Sequence, residues 1–226
     1  MQAFLEDYFS NVIQIRSEIW DSIWETLYMV GWTALIAGVL GIILGVTLVV
    51  TERGGILENE RIYSFLEKLV NGFRSVPFII MLALIAPFTR FIIGTSIGTT
   101  AAIVPLVVGT VPFYSRQVQN ALLEVDAGVI EAAEAMGSSP LEIIFRVYLK
   151  EGLPSLIRVS SVTIINLIGI TTMAGAIGAG GLGDLAISRG YNRNQMDVTL
   201  VATAAILIIV LISQLIGDYL VKKTSH

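Results

Sequence analysis

The sequence predicts an all-α polytopic membrane protein with about five transmembrane helices. Three observations carry that prediction. Hydrophobic residues make up 54% of the 226 and charged residues only 14%, against roughly 25% charge in soluble domains. Five separate stretches approach the roughly 20 mostly apolar residues a spanning helix needs. Gly and Pro recur inside those stretches, as they do in membrane helices, where neighbours satisfy the freed backbone groups.

The five stretches follow in chain order. Residues 27–50 are almost uncharged and rich in Gly, Val, Ile and Leu. Residues 70–88 form a second candidate, interrupted by Asn71, Arg74 and Pro77 and ending near Pro87. Residues 97–113 form a third, with Pro105 and Pro112, and residues 156–177 a fourth, with Asn166 inside. Residues 198–221 are the fifth and cleanest.

Ahead of them, residues 1–25 alternate differently. Phe4, Leu5, Tyr8, Phe9, Val12, Ile13, Ile19, Trp20, Ile23 and Trp24 recur near helical spacing with acids between them. That pattern predicts an N-terminal amphipathic helix in the membrane interface, followed by a membrane domain over residues 26–226. Trp20, Trp24 and Trp32 suit an outer aromatic belt. The first residues lack a basic n-region and a cleavage site, so no secretory signal peptide is expected.

Positive charge orients the chain. Arg53, Arg61, Lys68, Arg116, Arg146, Lys150, Arg158, Lys222 and Lys223 fall on one side, and Arg16, Arg90, Arg189 and Arg193 on the other. Nine against four places the C-terminus in the cytoplasm and the N-terminus outside. The net charge of -4 gives no reason to expect a nucleic-acid partner. There is no cysteine and the lone histidine is His226, so thiolate chemistry, disulfides and multi-His metal sites are excluded within one chain.

The longest cytoplasmic connection, about residues 114–155, is predicted to be a helix, a sharp turn and a second helix. Asp126 can cap a helix running through Met136, and Gly137 suits the left-handed position past its end. Ser139 is a candidate N-cap, Pro140 takes the first helical position, and Glu142 closes a capping box. The second helix runs to about Gly152. Val129, Ala132, Ala133 and Met136 are expected to share one face. Small alanines there would let the helix sit close in a groove of another protein, with Glu131 and Glu134 at the rim. An ordinary amphipathic loop is the plain alternative. A DNA-reading helix-turn-helix would need a basic excess that the segment lacks.

Glu131-Ala132-Ala133, three residues, Gly137, nine residues, then Val147 and Leu149 resembles the EAA loop of bacterial ABC importer permeases. The pattern departs at Lys150, where the family carries Pro; Pro154 lies four residues later. Further segments are similar to the methionine-importer permease family: Phe73-Arg74-Ser75-Val76-Pro77-Phe78, Pro87-Phe88-Thr89-Arg90, Gly94-Thr95-Ser96-Ile97-Gly98, and Ala176-Ile177-Gly178-Ala179-Gly180-Gly181-Leu182-Gly183. The likeness runs from about residue 26 to residue 222. It implies five spans per subunit, two permease copies, two ABC ATPase subunits and an extracytoplasmic substrate-binding lipoprotein in a bacterial cytoplasmic membrane. It implies alternating access, with Glu131, Ala132, Ala133, Met136, Gly137, Ser139 and Pro140 coupling the permease to the ATPase. It places Gly178, Gly180, Gly181 and Gly183 on the outside, near where the binding protein docks. Thr172-Met173-Ala174-Gly175 resembles a stretch lining the family's translocation gate.

No G-x-x-x-x-G-K-[ST] occurs, so ATP and its magnesium are expected on a separate chain and no cofactor on this one. Gly178 to Gly183 matches G-x-G-x-x-G formally, but it follows a membrane span where a dinucleotide site needs a strand; close packing or a bend is the expectation. Arg74, near the end of the second stretch, is either a functional charge or a snorkelling one. Asn166 and Met173 are pathway candidates, with an interhelical hydrogen bond the plainer role for Asn166. The alternative functions are an ABC permease for another amino acid or small solute, and an ATP-independent channel or secondary carrier. Coupled carriers place acids inside spans, and none sits mid-span here.

Overall fold

The computed structural model describes residues 10–224. Phe4, Leu5, Tyr8, Phe9 and His226 lie outside the described residues. Among those described, all regular structure is helical. Helix α1 is Ser10–Gln14, α2 Arg16–Thr51, α3 Glu60–Ser75, α4 Phe78–Ile93 and α5 Thr99–Leu123. A short pair follows: α6 is Ala127–Ala135 and α7 is Pro140–Ile143, which continues through a π-type stretch, Ile144–Tyr148, into α8, Leu149–Glu151. Helix α9 is Leu153–Ala174, α10 Gly181–Asp184 and α11 Met196–Thr224.

Helices α2, α9 with its extension to Ala179, and α11 are long and apolar enough to cross a membrane alone. The pair α3 and α4 counts as a fourth candidate if taken together. Helix α5, the expected third span, is about 37 Å long by its 25 residues. Its last third carries Ser115, Arg116, Gln117, Gln119 and Asn120, which keeps it below the others in hydropathy. The structure alone therefore supports three to four spans, where the sequence reads as about five.

The second stretch is not one continuous helix. It breaks at Val76-Pro77, where Val76 is extended (φ -82°, ψ 122°) and Pro77 has ψ 134°. The ring of a proline excludes the residue before it from the helical region. Arg74 consequently sits in the last turn of α3 and is exposed. Helix α3 is strongly amphipathic, with Glu60, Arg61, Glu67 and Lys68 along it, so Arg74 sits on an amphipathic helix ahead of the break and not among the apolar residues of α4.

The chain folds as two compact units. The first comprises residues up to Leu35, Pro77–Val107 and Ile164–Ser213. One of its cores gathers Met29, Leu82, Leu106, Leu167 and Ile168. A second core gathers Ile15, Leu182, Leu185, Ala186, Val198 and Ala202, with Val12, Ile19 and Ile23 packed on it. Of the apolar positions read from the sequence as an interfacial face, Val12, Ile19 and Ile23 rest on protein, while Ile13 is exposed. Nor does the helix pause near residue 25: no Gly or Pro occurs between Arg16 and Val30 to interrupt it. Trp20, Trp24 and Trp32 point outward, 57%, 68% and 48% exposed.

Polar contacts at a seven-residue spacing reinforce that packing. The Asp197 carboxylate accepts from the Asn11 backbone and side chain, both at 3.1 Å. Arg189 donates to both oxygens of Glu18. Glu25 accepts from Gly181 N–H at 2.7 Å and Thr26 Oγ1 from Leu182 N–H at 2.9 Å. Asn11, Glu18 and Glu25 return to the same side of a helix every two turns.

The second unit comprises Ile36–Val76, Val108–Thr163 and residues from Gln214 on. Its core joins Val49 and Val50 of α2, Val118, Ala121 and Leu122 of α5, and Ala133, Ile143, Ile144 and Tyr148 of the short-helix segment.

Candidate functional site

The helix pair forms as its local sequence dictates. The Asp126 carboxylate accepts from Gly128 N–H at 2.6 Å and starts α6. At the other end Gly137 has φ +81°. Gly137 N–H donates to Glu134 O at 2.9 Å and Ser138 N–H to Ala133 O at 3.1 Å, the two bonds of a Schellman motif. Two residues on, Ser139 Oγ accepts from Glu142 N–H at 3.4 Å, and Glu142 Oε2 accepts from Ser139 N–H at 2.9 Å. Pro140 occupies the first helical position. Donation from the Ser139 backbone and hydroxyl holds the exposed Glu142 carboxyl below its ordinary range, with Arg146 adding a little.

The pair has two faces. Ile130 and Ala133 turn inward with Ile143, Ile144 and Tyr148 against α5. Burial, and behind it the Glu134 charge, pushes the Tyr148 phenol up, so it stays protonated. Ala133 is thus only 6% exposed and does not share an open face with its neighbours. Val129, Ala132 and Met136 stay outside at i, i+3 and i+7, which is one helical stripe, whereas Ala133 is turned 100° from Ala132. Met136 is 79% exposed, and the outward face is extended by two residues the sequence pattern did not single out, Leu141 at 66% and Phe145 at 65%. Glu131 and Glu134 stand exposed beside them. Apolar side chains gathered on an otherwise polar segment mark a contact surface. The signal was present in the i, i+4 spacing of Leu141 and Phe145.

A second region forms where α9 ends. Ile177 and Gly178 leave helical geometry, and Gly178, Gly180 and Gly181 have φ of +95°, +83° and +76°. Gly98 N–H donates to Gly178 O at 3.1 Å. A Cβ on Gly183 would come within 2.5 Å of Thr172 Cα, so the chain folds back on α9 only because the side chain is absent. The bend and close packing expected of this segment are both present, and a helix, not a strand, precedes it. Ala174, Ile177 and Ala179 border a cavity of about 200 Å³ with Leu82, Thr89 and Ala102. Among the described residues, the Thr89 hydroxyl is buried without a partner and no charged group lines the cavity.

Asn166 and Met173 are exposed on α9, in one stripe with Val162 and Gly169. Asn166 makes no hydrogen bond to another helix among the described residues, so its expected packing role is not realised within one chain. Arg74 lies on α3, apart from that stripe in the sequence and on a different element.

Residues 39–226 match the family described as the binding-protein-dependent transport system inner membrane component. The chain belongs to this family. Among its relatives is the methionine import system permease protein MetP of Bacillus subtilis (strain 168), 50% identical over 213 residues, covering 94% of this chain and 95% of the relative. Another is the probable D-methionine transport system permease protein MetI of Pasteurella multocida (strain Pm70), 47% identical over 202 residues, covering 89% and 93%. A solved structure of the MetNI methionine ABC transporter in inward-facing conformations has a chain 42% identical to this one. That likeness has a TM-score of 0.92 and covers 94% of this chain and 99% of that one. An amino acid ABC transporter solved with histidines shares the fold alone, at 15% identity and a TM-score of 0.72. Membership makes this a multi-pass inner-membrane transport component, and the capped helix pair with its apolar outer face lies inside the family-matched region.

Proposed function

We propose that this chain is the permease subunit of a methionine importer powered by a separate ABC ATPase. The observation that carries the reading is full-length likeness: relatives named for methionine transport match at 42–50% identity across about nine-tenths of both chains. The solved MetNI relative is a methionine ABC transporter, and an equivalent ATPase is the partner expected here. Two permease copies, two ATPase subunits and an extracytoplasmic substrate-binding lipoprotein would make up the working assembly, embedded in lipid. ATP and magnesium would be held by the ATPase. The N-terminus would face outside and the C-terminus the cytoplasm.

In this reading the outer face of the helix pair seats in the ATPase. Val129, Ala132, Met136, Leu141 and Phe145 supply apolar contact, and Glu131 and Glu134 meet basic groups at the rim. Two rigid caps keep the pair from fraying under load. ATP binding closes the ATPase subunits and biases the permease toward its outward-open state; hydrolysis returns it. The exposed α9 stripe with Asn166 and Met173 lines the route between two copies, and the Gly178–Gly183 bend lies at its outer end.

The experiment is methionine uptake by vesicles carrying this chain with its copurifying partners. ATP-dependent uptake supports the assignment. ATP-dependent association without methionine uptake keeps the permease and changes the cargo. Absence of any ATPase partner would overturn the reading.

A further inference from the structure

We infer that Arg116 is a positioning residue that locks α3 to α5, so that movement of the helix pair reaches α3; the inference rests on the permease reading above. Helix α5 has two working faces within its unit. Val118, Ala121 and Leu122 carry the helix pair through its apolar core. Arg116 and Gln119 face other partners. Arg116 Nη1 donates to Gln119 Oε1 at 2.8 Å, and Nη2 donates to Asn71 Oδ1 at 3.0 Å and lies 3.5 Å from Glu67 Oε1. Gln119 Nε2 in turn donates to Glu52 Oε2 at 3.1 Å. The end of α2, the middle of α3 and α5 are thereby joined through one guanidinium and one amide.

The burial pattern gives this joint its weight. Gln119 is 1% exposed, and a buried amide must be satisfied at both ends. Arg116 satisfies its oxygen and Glu52 its nitrogen. The Arg116 side chain is 18% exposed, while Glu67 is 37% exposed and the bond to Asn71 lies at the surface, so the joint draws its weight from the buried Gln119 end and from the geometry of the guanidinium. A planar guanidinium can point its two terminal nitrogens at different helices at once, which a lysine ammonium on a flexible stem cannot do with the same geometry. Apolar packing would let α3 slide on α5; directional bonds at Asn71 and Glu67 fix the register. Helix α5 ends at Leu123, three residues before the Asp126 cap, and α3 ends at the Val76-Pro77 break. Force on the pair therefore passes through α5 to α3.

The test uses the full chain assembled with its copurifying ATPase and binding protein. No native cysteine interferes with labelling, so spin labels go on cysteines at the exposed Lys68 and Glu151 positions, the latter at the end of the helix pair and outside its outer contact face. Distances are read in nucleotide-free and ATP-trapped complexes, beside ATP turnover and solute uptake. In the parent protein one narrow distance should persist in both states. Arg116→Gln should broaden or shift it on ATP binding. Uptake per ATP should then fall about tenfold, a typical coupling factor, with ATP turnover within about twofold. Arg116→Lys should lie between. An unchanged label distance in Arg116→Gln would overturn the inference, whether uptake is normal or falls in proportion to ATP turnover. If the parent complex takes up no methionine, the cargo assignment fails, while the label distances still decide the joint.

Discussion

Gly137 offers the sharpest test of how the helix pair works. Its φ of +81° is a conformation L residues avoid. A Cβ placed there meets nothing within 4 Å, so a substitution is penalised by backbone conformation alone, without steric overlap. Holding an alanine there costs about 1–2 kcal/mol, and a β-branched residue more. Asparagine tolerates the left-handed region and should be nearly silent. The expected order of destabilisation is Asn, then Ala, then Val. Local opening should rise by a factor of roughly 5–30 in Gly137→Ala, measured by hydrogen exchange at the Gly137 and Ser138 amides that close the turn on Glu134 and Ala133. The variants should reach the membrane equally, because the substitution lies outside every apolar helix. Uptake should fall in the same order as turn stability. Valine behaving like glycine in both measurements would refute the reasoning, and intact uptake despite a destabilised turn would remove its coupling role.

Two further outcomes follow from the same geometry. The depressed Glu142 carboxyl stabilises the start of α7 at pH above its ordinary value of 4.5. That stabilisation is lost as pH falls through the lower folded value; exchange at the Ser139 amide should accelerate there, and Glu142→Gln, which still accepts the capping bond, should flatten the dependence. Gly183→Ala would drive a Cβ into the Thr172 backbone, at a cost of about 1–3 kcal/mol or more; thermal denaturation of the purified chain should shift downward, and a midpoint equal to the parent's would mean that the fold-back has slack.

What the sequence determined by itself was local. Asp126, Gly137, Ser139, Pro140 and Glu142 act on backbone groups within four residues, so their caps and turn could be read in order along the chain. The apolar stretches declared a membrane protein because lipid leaves no other place for them. Pro77 was visible too, although the break it makes, and the amphipathic helix it leaves holding Arg74, took the structure to reveal. Tertiary structure decided everything that depended on distant partners. Asn11 bonds a residue 186 positions away and Glu18 one 171 away, which ties one side of the N-terminal helix to the protein. Ala133 and Ala132 are adjacent and identical in type, yet only one is buried, because α5 covers one side of the helix. Arg116 looked like one of nine cytoplasmic positive charges until Asn71, Glu67 and Gln119 came within reach of it. Local sequence sets backbone conformation through short-range sterics and capping; which face is buried, and which charge is a joint, is set by the helix that happens to pack there.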